Sequence, residues 1–184
     1  MDVPSADEKL LKALAAAMVA RPRGTLKDIA VAAGVSKATL HRFCGTREHL
    51  IERLMGYGSQ VLNQVIDHAR LDSAPPREAL RRLIQGHLTH RELLTFLAFQ
   101  WRPDSMDEAV GGGRWMPYCD ALDAFFLRGQ REGVFRLDIA APALSEIFAA
   151  LIFGLVDAER RGRVAWASTP AMLETAFLEG AQGR

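Results

Sequence analysis

The sequence predicts an all-α protein: an amino-terminal three-helix domain holding a helix-turn-helix, joined by a long helix to a larger carboxy-terminal helical domain. Three observations predict it. Apolar residues recur at three- and four-residue spacing in nearly every segment. The segments are parted by Pro- and Gly-containing breakers, at Arg21-Pro22-Arg23-Gly24, Asp72-Ser73-Ala74-Pro75-Pro76 and Gly133. No segment shows the alternation of a half-buried strand, and no internal repeat is present.

Ser5 or Asp7 is positioned to cap a first helix from about Asp7 to Ala20, whose stripe is Leu10, Leu11, Leu14, Ala17 and Met18. Thr25 and Asp28 form a capping-box-like pair at the start of a second helix carrying Leu26, Ile29 and Ala30. Gly34 suits a left-handed turn, and Val35 follows as an apolar plug. Ser36 caps a third helix with Leu40 and Phe43 inward and Lys37, Thr39, His41 and Arg42 on its other faces; Gly45 ends it. A fourth helix starts at Thr46 and runs to about Ala69 on Leu50, Ile51, Leu54, Val61, Leu62, Val65 and Ile66, and Gly56 and Gly58 within it allow a kink or a softened turn near Tyr57.

Beyond the Pro75-Pro76 boundary, Pro76 opens a helix with Leu80, Leu83, Ile84, His87 and Leu88 on one face. Leu93, Leu94, Phe96, Leu97 and Phe99 form another, ending near Arg102-Pro103. Asp104 to Gly113 reads as a loop. Its Gly111-Gly112-Gly113 is no phosphate loop, since no Gly-Lys-Ser/Thr follows and no strand precedes. Trp115 to Arg131 reads as a helix, Val134 to Leu137 as a connector, Asp138 or Pro142 as the start of a helix to about Arg160, and Thr169 to Leu178 as the last helix.

Two short helices joined by a Gly turn form the unit that inserts its second helix into the DNA major groove. Lys37 or Arg42 can donate to guanine O6/N7, and Thr39 can meet a thymine methyl or a base edge. Thr25 and Ser36 sit at helix amino termini, where backbone N–H groups favour phosphate. Arg47 lies in the first turn of the fourth helix, where the dipole disfavours a cation; a neighbouring anion is the expected reason. From Arg21 to Arg47 six bases face one acid, a local charge of +5 in a chain of net charge +1. The expected partner is therefore double-stranded DNA bound through a patch, not a general coating of nucleic acid.

The run AVAAGVSKATLHRFCGTREHL resembles the end of the DNA-binding domain of TetR-type repressors, whose pattern is approximately I-A-x-x-A-G-V-S-x-G-T-L-Y-x-Y-F-x-S-K-E-x-L. The likeness reaches back through the first helix, near Lys9 to Val19. His41 stands where the family usually has Tyr, Cys44 where it has Phe, Ala38 where Gly is common and Arg47 where Lys is common. The resemblance implies DNA contacts by Thr25, Ser36, Lys37, Ala38, Thr39, His41, Arg42 and Arg47. GVSKATLHRFCGTR, LTHRELL, ALDAFFLRGQ, GVF and VDAERRGR are further similar to family members that repress multidrug efflux operons. That likeness implies a repressor of an efflux operon, relieved by an effector. The alternative is a repressor controlled by a protein partner or by its own amount.

The helix over Ala143 to Glu159 is apolar on most faces, which calls for burial. Phe148, Leu151, Ile152 and Leu155, with Met172 and Phe177 of the last helix, are expected to form a four-helix interface in a homodimer. A dimer also sets two recognition helices about 34–36 Å apart, one helical turn of DNA. Aromatic residues concentrate in the second domain. On residues alone they read as packed core. The resemblance implies instead a pocket for a small hydrophobic or cationic effector, with Phe96, Phe99, Gln100, Trp115, Tyr118, Leu122 and Phe125 as candidate lining and Trp101, Met106 and Met116 nearby. Domain limits of 1–55 and 56–184 follow.

Other classes find little support. His87-x-x-His90 with Glu92 lacks a further ligand at a zinc-like spacing, so no metal is expected. Cys44 and Cys119, the two cysteines of the chain, suggest a reducing compartment. Cys44, close to Arg42 and Arg47, invites an oxidant-sensor reading, but the resemblance marks it as core. No Ser-His-Asp, paired-carboxylate or nucleophile-elbow arrangement assembles, so neither enzyme nor cofactor is expected. Met1 to Leu10 lacks an apolar signal region. No stretch approaches an uncharged membrane span, Ile147 to Val156 being too short. A cytoplasmic protein with no membrane partner is the expectation.

Overall fold

The structure, a computed structural model, describes residues 6–100 and 112–181. Its elements are α1 (Ala6–Ala20), α2 (Leu26–Ala32), α3 (Lys37–Cys44), α4 (Arg47–Ala69), α5 (Pro76–Leu88), α6 (Arg91–Gln100), α7 (Met116–Arg131), α8 (Ala141–Arg160) and α9 (Thr169–Ala181), with 3₁₀ turns at Gly112–Arg114 and Trp166–Ser168. No strand occurs among the described residues. Trp101, Met106, the polar leader through Ser5 and most of the Asp104–Gly113 loop lie outside them. The described residues form two compact units, one of 6–60 and 92–100, the other of 61–91 and 112–181.

The first unit follows the predicted stripes in part: Leu10, Leu11 and Phe43, expected inward, are only half-buried. Leu14, Ala15, Ala17 and Met18 of α1, Ile29 and Ala30 of α2, Leu40 and Cys44 of α3, and Leu50 and Leu54 of α4 are buried. Leu93, Leu94, Phe96 and Leu97 of α6 are buried too. α4 is continuous for 23 residues through Gly56 and Gly58. Gly58 serves packing. A Cβ there would lie 2.8 Å from Cδ2 of Leu97, so the bare Cα is the seat of that side chain.

In the second unit Phe125, Phe126, Phe135, Phe148 and Phe177 stack into one cluster, with ring centroids 5.0–6.4 Å apart. Phe135 belongs to what reads in sequence as a plain connector, yet it is 1% exposed. It fits because Gly129 presents no side chain; a Cβ at Gly129 would sit 2.3 Å from Cδ2 of Phe135. The Gln130 amide Nε2 donates to the carbonyls of Arg136 and Ile139, each at 2.7 Å, and ties the connector to α7. Arg128 donates to the carbonyls of Leu71 (2.9 Å) and Ala74 (2.7 Å), fixing the turn that follows α4. In that turn Arg70 takes a left-handed φ of 55°.

α8 corrects two sequence expectations. Over an 18-residue window its mean hydropathy is 1.6, so by length and composition it is long and apolar enough to cross a membrane. The apolar character has another visible cause. Leu144, Phe148, Ile152 and Val156 pack inside the unit, while Ile147, Ala150, Leu151, Gly154 and Leu155 lie on its more accessible side. Of the residues assigned to a dimer interface, Phe148, Ile152 and Phe177 are therefore interior of the single chain, each at most 1% exposed. Leu151, Leu155 and Met172 remain accessible.

Candidate nucleic-acid interface

The reader is assembled from short-range bonds. Thr25 caps α2: the backbone N–H of Asp28 donates to Thr25 Oγ1 (3.3 Å), and the Asp28 carboxylate accepts from the Thr25 N–H (2.8 Å) and hydroxyl (2.8 Å). The Thr25 hydroxyl, then its N–H, hold the Asp28 carboxyl below its ordinary range. At the far end of α2, Gly34 takes φ +69°, and the N–H of Val35 donates back to the Ala30 carbonyl at 2.9 Å. That six-to-one bond satisfies a carbonyl the helix end would otherwise orphan, and the turn swings the chain into α3.

Ser36 Oγ accepts the Thr39 N–H at 3.0 Å and lies 2.8 Å from the Thr39 hydroxyl. Leu40 and Cys44 face inward, and Gly45, at φ +70°, closes the helix by donating to the His41 carbonyl at 2.8 Å. Lys37, Ala38, His41 and Arg42 are exposed. Among the predicted contacts these four share α3's open surface with Ser36. Thr39 is half-buried and its hydroxyl already bonded to Ser36, which makes it part of the cap as much as of the reading face.

Arg47 is placed otherwise than expected. Its Nη1 donates to the Gly24 carbonyl at 2.9 Å and its Nη2 to the Pro22 carbonyl at 2.6 Å. These acceptors, on the turn before α2, hold the Arg47 guanidinium at the start of α4. Sequence reading also missed Arg53. Its guanidinium lies 4.0 Å from the centroid of the Phe43 ring and donates to the Phe43 carbonyl at 3.2 Å. Helical spacing gave no signal for it, because Arg53 lies on an exposed face of α4.

Neither cysteine suits an oxidant sensor. The Cys44 thiol donates to the Leu40 carbonyl (3.3 Å), and burial raises its pKa despite the opposing Arg53 charge. Cys119 is pushed up to about 11, first by burial and then by Glu146, Asp123 and Asp120. Both stay thiols where a sensor needs thiolate.

The residues offered as effector lining divide between the units. In the first, Phe96 is fully packed, Phe99 is 49% exposed and Gln100 half-buried. In the second, Leu122 and Phe125 are 2% exposed, and Trp115 and Tyr118 are buried. Phe125 belongs to the aromatic cluster. The second unit also has a depression of ≈ 550 Å³ between the end of α4 and α7, lined by Ile66, Asp67, Arg70, Ala121, Ala124 and Phe125 among others. Of the predicted residues only Phe125 reaches it.

His87 is buried between Tyr118 and Phe148. Its Nδ1 lies 2.7 Å from the Leu83 carbonyl and its Nε2 2.7 Å from the Tyr118 hydroxyl. A neutral ring satisfies both: Nδ1–H donates to Leu83 and Tyr118 O–H donates to Nε2. No lone pair is left for a metal. Burial, with a smaller repulsion from His90, lowers the His87 pKa from 6.5 to about 4. Between those values the unfolded chain holds more protons than the folded one, so stability is full above about pH 6.5 and falls as pH drops toward 4. The expected loss at pH 4 from this group is about 3 kcal/mol. Urea denaturation of wild type and His87→Gln across that window checks it; the pH slope of the variant should be shallower.

The chain is 59% identical over 181 residues to the HTH-type transcriptional regulator NfxB of Pseudomonas aeruginosa, covering 98% of this chain and 97% of that protein. Among solved structures, the ketosteroid transcriptional regulator KstR2 of Mycobacterium tuberculosis superposes with TM-score 0.77 at 18% identity, covering 100% of this chain and 98% of that one. The TetR-like transcriptional regulator LfrR of Mycobacterium smegmatis, in complex with proflavine, gives TM-score 0.72 at 22% identity, covering 96% and 98%. No protein-family model matches the chain.

Proposed function

Because the chain belongs to the TetR family of transcriptional regulators, we propose that it is a cytoplasmic repressor that grips a two-fold-related operator as a homodimer, controls a multidrug efflux operon and is released by a small hydrophobic or cationic effector. Residues 1–55 bind DNA, and residues 56–184 dimerise and respond to the effector. The observation that carries this is α3 itself: a capped helix whose Lys37, Ala38, His41 and Arg42 are exposed beside the phosphate-favouring amino terminus held by Ser36.

The dimer uses the accessible sides of α8 and α9. Ile147 and Met172 are 41% and 43% exposed, and the small Ala150 and Gly154 permit close helix approach. Leu151→Glu with Leu155→Glu places charge on that face without entering the packed side of α8. Sedimentation velocity should then show a monomer, and operator binding should fall with it. An unchanged dimer would assign the interface elsewhere.

Efflux control rests on the resemblance of GVSKATLHRFCGTR, LTHRELL, ALDAFFLRGQ, GVF and VDAERRGR to repressors of efflux operons, and effector release on the proflavine complex of LfrR. A labelled duplex selected by the wild-type protein from a random pool, titrated with proflavine and other aromatic cations, tests the second. Release at micromolar dye supports the effector. A specific observation favours the other reading, control by a partner protein or by abundance: Leu122, Tyr118 and Phe125 are already packed against protein. Retention of the duplex at every dye concentration would favour that reading.

A further inference from the structure

α4 holds both ends of the DNA reader through two arginines. Arg47 reaches back to the turn before α2, bonding the carbonyls of Pro22 and Gly24. That turn is tight: Gly24 donates to the Arg21 carbonyl, and a Cβ at Gly24 would meet Arg21 Cβ at 2.9 Å and Asp28 Cβ at 3.2 Å. Arg53, six residues along α4, stacks on the Phe43 ring and bonds the Phe43 carbonyl at the trailing end of α3. The planar guanidinium suits both tasks, since it meets two acceptors in a fork or lies flat on a ring while donating at its edge. α3 itself is only eight residues long, too short to hold its direction alone.

We propose that Arg47 and Arg53 are positioning residues for base reading, which set the direction of α3 against α4 and are not phosphate contacts. The proposal rests on α3 being the reader. It separates two effects that a general basic patch would merge. A phosphate-binding cation contributes to every sequence alike and to the salt dependence of binding. A positioning cation contributes to discrimination, because a tilted α3 still meets phosphates but misaligns its donors with base edges.

The test uses full-length protein and the duplex selected by wild type, with a scrambled duplex of equal composition. Affinities are measured by fluorescence anisotropy across a potassium chloride series for Arg47→Gln and Arg53→Gln, with a thermal melt of each protein alone. The expected result is a fall of about tenfold in the selected-to-scrambled affinity ratio with an unchanged slope of log K against log salt. A variant whose slope falls by about one is a phosphate contact, and one whose ratio is unchanged has no positioning role; either result overturns the proposal for that residue. Should a Gln variant fail to fold, Arg47→Lys and Arg53→Lys keep the charge but lack the fork and plane. Positioning then predicts a lost ratio, and a phosphate contact predicts near-wild-type binding. A wild type that selects no duplex removes the reader assignment and this proposal together, an outcome distinct from all of these.

Discussion

Replacing Lys37 and Arg42 together by Ala is expected to lower affinity for the selected duplex by about a hundredfold or more, each base-edge or phosphate contact being worth about 1–3 kcal/mol. Both side chains are exposed, and among the described residues neither is drawn into an ion pair with the chain's own acids. Their removal therefore costs the fold little. Arg42 lies in the last turn of α3, where a cation gains roughly 0.3–1 kcal/mol from the helix dipole, and that is the largest stability term at stake. The melting temperature should move by a few degrees at most while binding collapses. Ser36→Ala gives the contrast. It deletes the cap of α3, at about 1 kcal/mol of stability, so its loss of binding should be accompanied by a measurable loss of fold.

The largest stability effect is expected at Phe126. Its ring is 0% exposed and touches Phe125, Phe135, Phe148 and Phe177 at centroid distances of 5.0, 5.3, 6.1 and 5.4 Å. Phe126→Ala removes the hub of that cluster, at about 3–5 kcal/mol for transfer and cavity together. Against a typical domain stability of about 5–15 kcal/mol, this brings the second unit close to unfolding at ambient temperature. Phe99→Ala is the control: its side chain is half exposed, and the loss should be under about 1 kcal/mol. Urea midpoints of the two variants, followed by circular dichroism, check the contrast. Comparable midpoints would mean that the cluster does not organise the unit.

The reader was legible in sequence because every device that builds it is local. Thr25 with Asp28, Gly34 with Val35, and Ser36 with Thr39 each act within a few residues, so their spacing alone announces a cap, a turn and a second cap. Helix α8 shows the limit of the same method. Periodicity says that it is apolar on most faces, but which side is covered depends on α7 and α9. Phe148, Ile152 and Phe177 consequently read as interface and proved to be interior. Phe135 was hidden for a related reason: a connector residue enters the core only because Gly129, six positions earlier, leaves room for its ring. Arg47 and Arg53 were opaque because their partners are backbone carbonyls more than six residues away, and a carbonyl has no signature in sequence. The candidate effector residues share an aromatic composition, but composition does not say whether rings enclose a space or fill it.

On the proposed function, the exposed side of α3 enters the major groove, twice, on a two-fold-related site. Methylation interference at guanine N7, which lies on the major-groove edge, tests it most directly on the duplex that the wild-type protein selects. Interference is expected at two symmetric clusters of guanines, separated by one helical turn or a multiple of it. Lys37→Ala or Arg42→Ala should weaken the dependence on guanines within those clusters. Binding that tolerates N7 methylation throughout, with contacts mapped instead to the minor groove or to the backbone alone, would contradict it.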